Sequence, residues 1–266
     1  MKLCVIGNSH VGMLRAAARG LGPDGPEITF FAKAGTGLEK ATISGSVIAA
    51  ADPELRAAQA RFGMPETIDV SAFDAAILVA GTASVYSALR ILQTFRVSGW
   101  PSARDGTGSE LAVPALMSER AFVAALADEA RAGLSHRFAK ALRQASRVPL
   151  YLVPQPFPSE RVFESARPSE YGFLRARWRG DGPLIAASLA RAIDTAFGEI
   201  DEVTVLHQPA DTIAHGFTTA QAYTRDAVQV DGDTPQQAQD LLHVGPAYGG
   251  RVLDRVKRHL ARVPLS

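Results

Sequence analysis

Short, almost wholly apolar runs that alternate with helix-like segments constrain the fold of this chain more than any other feature. The clearest run, residues 75–81, is apolar throughout and closes on a glycine. Strands of this kind are buried on both faces of a sheet, and helices between them provide the crossovers that parallel strands need. The runs predict a three-layer α/β/α protein with a parallel sheet of about five strands. The other runs are residues 2–7, 27–32, 148–153 and 203–206.

Helix-like segments separate these runs, and several stretches between them have no clear pattern. Residues 159–182 are predicted to form a loop, and the sequence indicates loop insertions at 43–73, 98–117 and 208–237. No repeat or composition shift marks a boundary, so a single domain spanning residues 1–266 is predicted. The predicted helices are 10–20, 53–62, 84–95, 118–145 with a possible break at Gly133, 184–197, and a basic closing helix that ends near Pro264.

Composition argues against several classes of protein. The 266 residues carry a net charge of +1, which gives no global attraction to nucleic acid or to an anionic membrane. Basic clusters at 175–179 and 251–262 have no accompanying binding motif and are interpreted as solvated surface. Cys4 is the only cysteine, so an internal disulfide is excluded. Without a long apolar run or a leader-like start, a cytoplasmic location with no membrane partner is expected.

The first strand ends in Gly7-Asn8-Ser9 and turns at once into a helix. Ser9 is therefore expected at the carboxyl edge of the sheet, beside the exposed N–H groups of a helix start. One interpretation is a dinucleotide-binding turn, but Ser9 replaces its middle glycine and no acidic residue closes the second strand at 31–34. A nucleotide-binding protein is the weaker alternative, and a nucleophilic serine is favoured.

A catalytic serine needs a base within hydrogen-bond reach and an acid that orients the base. Asp240 and His243 stand three residues apart near the other end of the chain, a spacing that lets both side chains face one point. A capping aspartate followed by a surface histidine is the plain structural alternative. The combination with Ser9 makes the catalytic interpretation more specific than either motif alone.

Together, Gly7-Asn8-Ser9-His10 and Asp240-Leu241-Leu242-His243 resemble the first and last motif blocks of the SGNH/GDSL hydrolase superfamily. These are esterases and related acyl-transfer enzymes with a flavodoxin-like α/β/α fold. The resemblance implies that Ser9 is the nucleophile, His243 the general base and Asp240 its orienting partner, with no cofactor or metal ion. It also implies a small ester or an O-acylated carbohydrate as substrate.

The family's middle blocks match this sequence less closely. Gly37, or alternatively Gly35, stands where the family has a glycine N–H that stabilises the oxyanion. Gly81 and Thr82 follow the third strand, as the next block of the family would. Ala83, however, occupies the position of the asparagine whose side chain is a further oxyanion donor.

Losing one side-chain donor from an oxyanion hole typically lowers turnover by about 100- to 1000-fold. Another group must therefore replace the asparagine, or the protein is a non-catalytic binding protein that keeps the remnants of a triad. The candidate replacements that follow predicted strand ends are Thr82, Ser84 and Gln155.

Other polar and aromatic residues allow further interpretations. His10 adjoins the nucleophile and either lines the site or has a structural role. His207 and His215 have Asp211 between them, but their spacing matches no familiar metal site. Loop aromatics either pack against the core or form a wall for an acyl or sugar group. These aromatics are Trp100, Tyr171, Phe173 and Trp178.

Overall fold

A computed structural model describes residues 1–104 and 115–262 of the chain. The part of the predicted loop around Gly106 and Gly108, and the predicted helix end near Pro264, lie outside the described residues. The strands are β1 (Lys2–Gly7), β2 (Glu27–Ala32), β3 (Thr42–Ser44), β4 (Val47–Ala49), β5 (Thr67–Asp69), β6 (Ala75–Val79), β7 (Phe95–Val97), β8 (Ala115–Met117), β9 (Leu150–Val153), β10 (Val203–Val205), β11 (Ile213–Ala214) and β12 (Thr218–Thr219). The helices are α1 (Val11–Arg19), α2 (Pro53–Arg61), α3 (Val85–Thr94), α4 (Pro101–Arg104), α5 (Glu119–Ala132), α6 (Leu134–Ala145), α7 (Tyr171–Arg179), α8 (Gly182–Phe197) and α9 (Pro246–Leu260).

The central sheet has five strands in the order β10-β9-β6-β1-β2, and every neighbouring pair is parallel. Numbered along the chain, this is the flavodoxin-like order 2-1-3-4-5. Gly7 pairs with Ala32 on one side and with Val79 on the other, and Val79 pairs with Val153. The carboxyl ends of four strands are therefore level at one edge. The predicted α/β class with a five-stranded parallel sheet is confirmed.

Helices cover both faces of this sheet. On one face, Leu3 and Val5 of β1 belong to the core that α1 and α9 complete. On the other, Cys4 and Ile6 belong to the core formed with α3, α5, α6 and α8. This alternation follows the two-residue period of a strand, and each fully buried aliphatic side chain contributes about 1.5–3 kcal/mol. Within 1–104 and 115–262, no helix combines the length and the apolar character needed to cross a membrane.

Residues 43–73 are more regular than the sequence suggested. The predicted helix is present as α2, but around it β3, β4 and β5 form a small antiparallel sheet. Ile48 on the central strand pairs with Ile43 on one side and with Ile68 on the other. Each strand has three residues. In three residues, the alternation of side chains between the two faces of a strand is too short to distinguish a strand from an irregular segment by sequence.

Residues 159–182 are not the uninterrupted loop that the sequence predicted, because α7 lies within them. The helix ends at Gly180, whose φ of 78° is left-handed and suits a glycine. Only Phe173 and Ala176 of this helix are buried. The apolar face is therefore narrow, and Gly172 in the first turn weakens the helical pattern further.

The predicted break of the long helix at Gly133 is confirmed. Gly133 has extended backbone angles and separates α5 from α6. A Cβ at this position would overlap the carbonyl oxygen of Gly81, so the start of α6 lies directly against the turn that follows β6. Ser118 caps α5 by accepting a hydrogen bond from the N–H of Ala121 at 3.1 Å.

The contact between α9 and α1 can be tested with two adjacent glycines. A Cβ on Gly249 would overlap the carbonyl oxygen of Met13 in α1, whereas a Cβ on Gly250 would meet no atom within 4 Å. We expect Gly249→Ala to lower the free energy of unfolding by about 1–3 kcal/mol through overpacking. Gly250→Ala should raise it by about 0.5–1 kcal/mol, because alanine is favoured inside a helix. Urea denaturation followed by circular dichroism measures both changes, and equal effects would contradict this packing.

Candidate active site

Ser9 lies in the turn between β1 and α1, at the carboxyl edge of the sheet. Backbone hydrogen bonds from Val11 N to Asn8 O (3.1 Å) and from Gly12 N to Ser9 O (3.2 Å) form this turn. The Asn8 side chain accepts a further bond from the N–H of His10 at 3.1 Å. Gly12 is required because a Cβ there would overlap the backbone of a neighbouring loop. The local sequence thus fixes Ser9 beside the start of a helix.

The structure brings together three side chains that the sequence selected. His243 Nε2 lies 2.9 Å from Ser9 Oγ, although the two residues are 234 positions apart. His243 Nδ1 lies 3.0 Å from Asp240 Oδ1, and the backbone N–H of His243 donates to Asp240 Oδ2 at 3.0 Å. Beside an ionised carboxylate, Nδ1 of a neutral imidazole carries the proton. Nε2 is then the acceptor that faces the Ser9 hydroxyl.

The loop that carries Asp240 and His243 is held from both sides. The Leu241 carbonyl accepts a hydrogen bond from Ser159 N at 2.8 Å, and Gly245 N donates to the Tyr223 carbonyl at 2.8 Å. Leu241 and Val244 are both buried, so the loop is also anchored by apolar packing. The imidazole is therefore positioned by the surrounding fold as well as by its own hydrogen bonds.

Two opposing effects act on the Asp240 carboxyl group. Burial by itself would raise its pKa, but the hydrogen bonds and charge interaction with His243 outweigh that effect and lower the pKa overall. The group consequently stays ionised at neutral pH. An ionised acid is what holds the imidazole in the tautomer described above.

His10 packs directly against His243, a contact that neither sequence interpretation of His10 specified. The two rings have centroids 4.8 Å apart and planes inclined by 31°. His10 is 5% exposed, and burial, followed by the effect of nearby His243, lowers its pKa to about 3 although Asp240 acts in the opposite direction. His10 is therefore neutral at physiological pH. Its Nδ1 has no hydrogen-bond partner in the described part of the chain.

A cavity of about 350 Å³ opens at the carboxyl ends of four strands, where Asn8, the residue directly before Ser9, lines it, while Ser9, Asp240 and His243 do not. Gly37, one predicted oxyanion donor, begins the short 3-10 helix Gly37–Lys40, whose first N–H groups have no partners within it. The cavity touches the turn just before that helix rather than Gly37 itself. The lining residues that follow strand ends are Asn8, Gly35, Thr36, Gly81, Thr82 and Gln155.

The turn after β6 has an unusual backbone. Ala80 and Gly81 have φ angles of 57° and 62°, and a non-glycine residue rarely adopts this left-handed conformation. Ser135 at the start of α6 holds the turn, since its hydroxyl donates to Ala80 O at 2.6 Å and its N–H donates to Gly81 O at 3.0 Å. The adjacent Thr82 is oriented by this constrained turn.

The candidate replacements for the missing asparagine differ in their surroundings. Ala83 is 1% exposed and packs in the core, and Ser84 caps α3. Thr82 and Gln155 both line the cavity. The Thr82 hydroxyl is buried and has no hydrogen-bond partner among the described residues. Because buried polar groups are normally paired, this unpaired hydroxyl distinguishes Thr82 from Ser84, whose side chain caps a helix.

Asn8 is a lining residue that the sequence reasoning did not select. Its side-chain oxygen is used by the N–H of His10, and no described residue accepts from its NH₂ group. The signal available in the sequence was its position directly before Ser9. Only the turn geometry shows that one end of this amide is fixed.

The other polar and aromatic residues lie elsewhere. His207 Nε2 pairs with Asp194 at 2.7 Å, and His215 Nε2 lies 3.5 Å from Glu160. Within the ranges that the structure covers, no group of three or more His, Cys, Asp or Glu side chains could hold a metal ion. Among the aromatics, Trp100 and Phe173 are buried in the core, whereas Tyr171 and Trp178 are exposed on α7.

No protein-family model matches the chain, and no curated protein matches it at a significant level. The geometry of the site is therefore the basis for any functional inference.

The hydrogen bonds between Asp240 and His243 predict a specific dependence of stability on pH. Because folding lowers the pKa of Asp240, its contribution is complete above the unfolded value of about 4 and is lost as pH falls through the folded value. We expect Asp240→Asn to lower the free energy of unfolding by about 1–3 kcal/mol at pH 7, and by less at pH 3. Urea denaturation of both proteins at the two pH values measures this. A difference of the same size at both would contradict the prediction.

Proposed function

We propose that the protein is a serine-dependent esterase or acyltransferase. Ser9 is the nucleophile, His243 the general base and Asp240 the residue that orients the base. The observation that carries the proposal is the continuous chain of hydrogen bonds, 2.9 Å from Ser9 to His243 and 3.0 Å from His243 to Asp240. A serine hydroxyl becomes an effective nucleophile when a positioned base accepts its proton.

The first half of the reaction transfers the acyl group to the protein. Ser9 Oγ attacks the ester carbonyl while its proton passes to His243 Nε2, and a tetrahedral intermediate with a negatively charged oxygen forms. The intermediate collapses as the C–O bond to the alcohol breaks. His243 returns the proton to the departing oxygen, which leaves as a neutral alcohol, and Ser9 carries the acyl group.

We assign three groups as hydrogen-bond donors to the developing negative charge. The N–H of Ser9 lies at the start of α1, and the N–H of Gly37 lies at the start of the 3-10 helix. The unpaired hydroxyl of Thr82 is the side-chain donor that we assign in place of the asparagine at position 83. In acyl-transfer enzymes, hydrogen-bond donors that already point at the position of the developing oxyanion account for a large part of the rate enhancement.

The second half of the reaction releases the acyl group. A water molecule gives its proton to His243 Nε2 as its oxygen attacks the acyl carbon, and Ser9 recovers that proton when its bond to the acyl group breaks. A sugar hydroxyl in place of water would make the same site an acyltransferase. The substrate we propose is a small ester or an O-acylated carbohydrate, and the cytoplasmic location stays a prediction from the sequence.

Labelling with a fluorophosphonate probe tests the proposal, because this probe reacts with serines that a base has activated. We expect one adduct, located on Ser9 by mass spectrometry, in the wild-type protein. Ser9→Ala and His243→Ala should both abolish it, and both should lower hydrolysis of p-nitrophenyl acetate by more than about 1000-fold. Absence of both labelling and hydrolysis in the wild type would favour the non-catalytic binding protein that Ala83 suggests.

The role of Thr82 is tested separately. Thr82→Val removes the hydroxyl with little change of shape, so we expect kcat to fall by about 100-fold while KM changes little. Thr82→Ser keeps the donor and should retain kcat to within about tenfold. Steady-state kinetics on p-nitrophenyl acetate separates the two parameters. Equal losses in both variants would mean that the threonine acts through packing rather than through its hydroxyl.

A further inference from the structure

A second cavity, of about 230 Å³, lies beside the carboxyl ends of β9 and β10. One wall is α8, and the other walls are the segments that follow the two strands. Its lining is mainly apolar and includes Phe157, Leu189, Ile193 and Ile213. A cavity of roughly 150 Å³ with such a lining holds a benzene molecule, so this one has room for an aromatic ring or a medium-length alkyl chain.

Gln155 lines both this cavity and the cavity next to Asn8. Asn8, the residue directly before the nucleophile, lines the first cavity together with Gln155. The Gln155 side chain has no hydrogen-bond partner in the portion of the chain that the structure describes. The cavity next to Asn8 and the apolar cavity therefore meet at Gln155, two residues after β9.

Apart from Gln155, the polar side chains that line the second cavity are already hydrogen-bonded. His207 Nε2 is 2.7 Å from Asp194 Oδ1. Gln208 accepts a hydrogen bond from Phe157 N at 2.8 Å and donates one to Thr219 Oγ1 at 3.0 Å. Among the residues described, no Asp, Glu, Lys or Arg side chain lines this cavity. Its surface thus favours an uncharged hydrocarbon group over a charged or strongly polar one.

We propose that this cavity binds a hydrocarbon group of the ester substrate, with Gln155 at the junction of the two cavities. The inference rests on the proposed esterase function and narrows its substrates to esters that carry a medium-length alkyl chain or an aromatic ring. The group belongs either to the acyl half or to the alcohol half of the ester. The cavity would bind the same kind of hydrocarbon group in both cases, and the experiment below distinguishes the acyl half from the alcohol half.

The experiment compares two phenylalanine substitutions on adjacent residues of α8. Ala186 lines the cavity and Ala187 is exposed on the same helix, so Ala186→Phe fills the cavity and Ala187→Phe is the matched control. Ethyl acetate, ethyl hexanoate and hexyl acetate are hydrolysed under pH-stat control. We expect the wild type to prefer one of the two long esters over ethyl acetate, and the preferred one identifies the acyl or the alcohol half.

In Ala186→Phe, kcat/KM for the preferred long ester should fall by about 10- to 100-fold, whereas kcat/KM for ethyl acetate stays within about twofold. Ala187→Phe should behave as the wild type on all three esters. The proposal would be overturned if neither long ester had a higher kcat/KM than ethyl acetate in the wild type. It would also be overturned if kcat/KM for the long ester fell equally in both variants. Fluorophosphonate labelling of Ser9 in both variants confirms that the nucleophile is intact.

Binding of 1-hexanol, followed by saturation-transfer NMR, tests the cavity without any turnover. We expect saturation transfer in the wild type, in Ser9→Ala and in Ala187→Phe, and a loss of most of the signal in Ala186→Phe. The same signal in both phenylalanine variants would overturn the cavity assignment whatever the reactivity of Ser9. Failure of the esterase proposal is recognised separately, by the absence of any adduct on Ser9 in the wild type.

Discussion

The parallel pairing of β1 with both β2 and β6 is the constraint on which the rest of the site depends. Gly7 stands level with Ala32 and with Val79, so three chain segments leave the sheet from one edge. A Cβ on Gly7 would lie 2.7 Å from the Val79 carbonyl oxygen, and the missing side chain therefore lets the two strand ends approach closely. A shift of register by one residue would turn every buried side chain of β1 to the opposite core. Because both faces are buried, this register is strongly specified.

The candidate site also requires that residues from the two ends of the chain lie next to each other. A hydrogen bond such as that between Ser9 and His243 contributes about 0.5–1.5 kcal/mol net, whereas ordering one loop residue costs about 1–2 kcal/mol of backbone entropy. The triad cannot order its own loop. Burial of Leu241 and Val244, and the packing of α9 on α1, supply the stability that holds His243 in place. The candidate site is therefore a product of the fold rather than a cause of it.

The sequence predicted the features that extend over many residues and missed the short ones. The apolar run 75–81 carries a strong signal and Gly133 a weaker one, and the structure contains β6 and a helix break there. The sequence patterns of the three-residue strands β3 to β5 and of α7, with its narrow apolar face, are too weak to be recognised from hydrophobic periodicity. At the site, residue types and spacing selected Ser9, Asp240 and His243. The stacking of His10 depends on two turns from opposite ends of the chain, which no local pattern encodes.

The contact between His10 and His243 places a limit on charge in the proposed reaction. His243 becomes an imidazolium ion each time it accepts the proton of Ser9 or of water. A second imidazolium 4.8 Å away would oppose that step by like-charge repulsion. Burial lowers the pKa of His10 to about 3, so His10 remains neutral and Asp240 is the charged residue in contact with the base. In the proposed reaction, His10 thus supports the His243 ring through packing alone. The positive charge that forms on His243 is stabilised by the Asp240 carboxylate and is not opposed by a charge on His10.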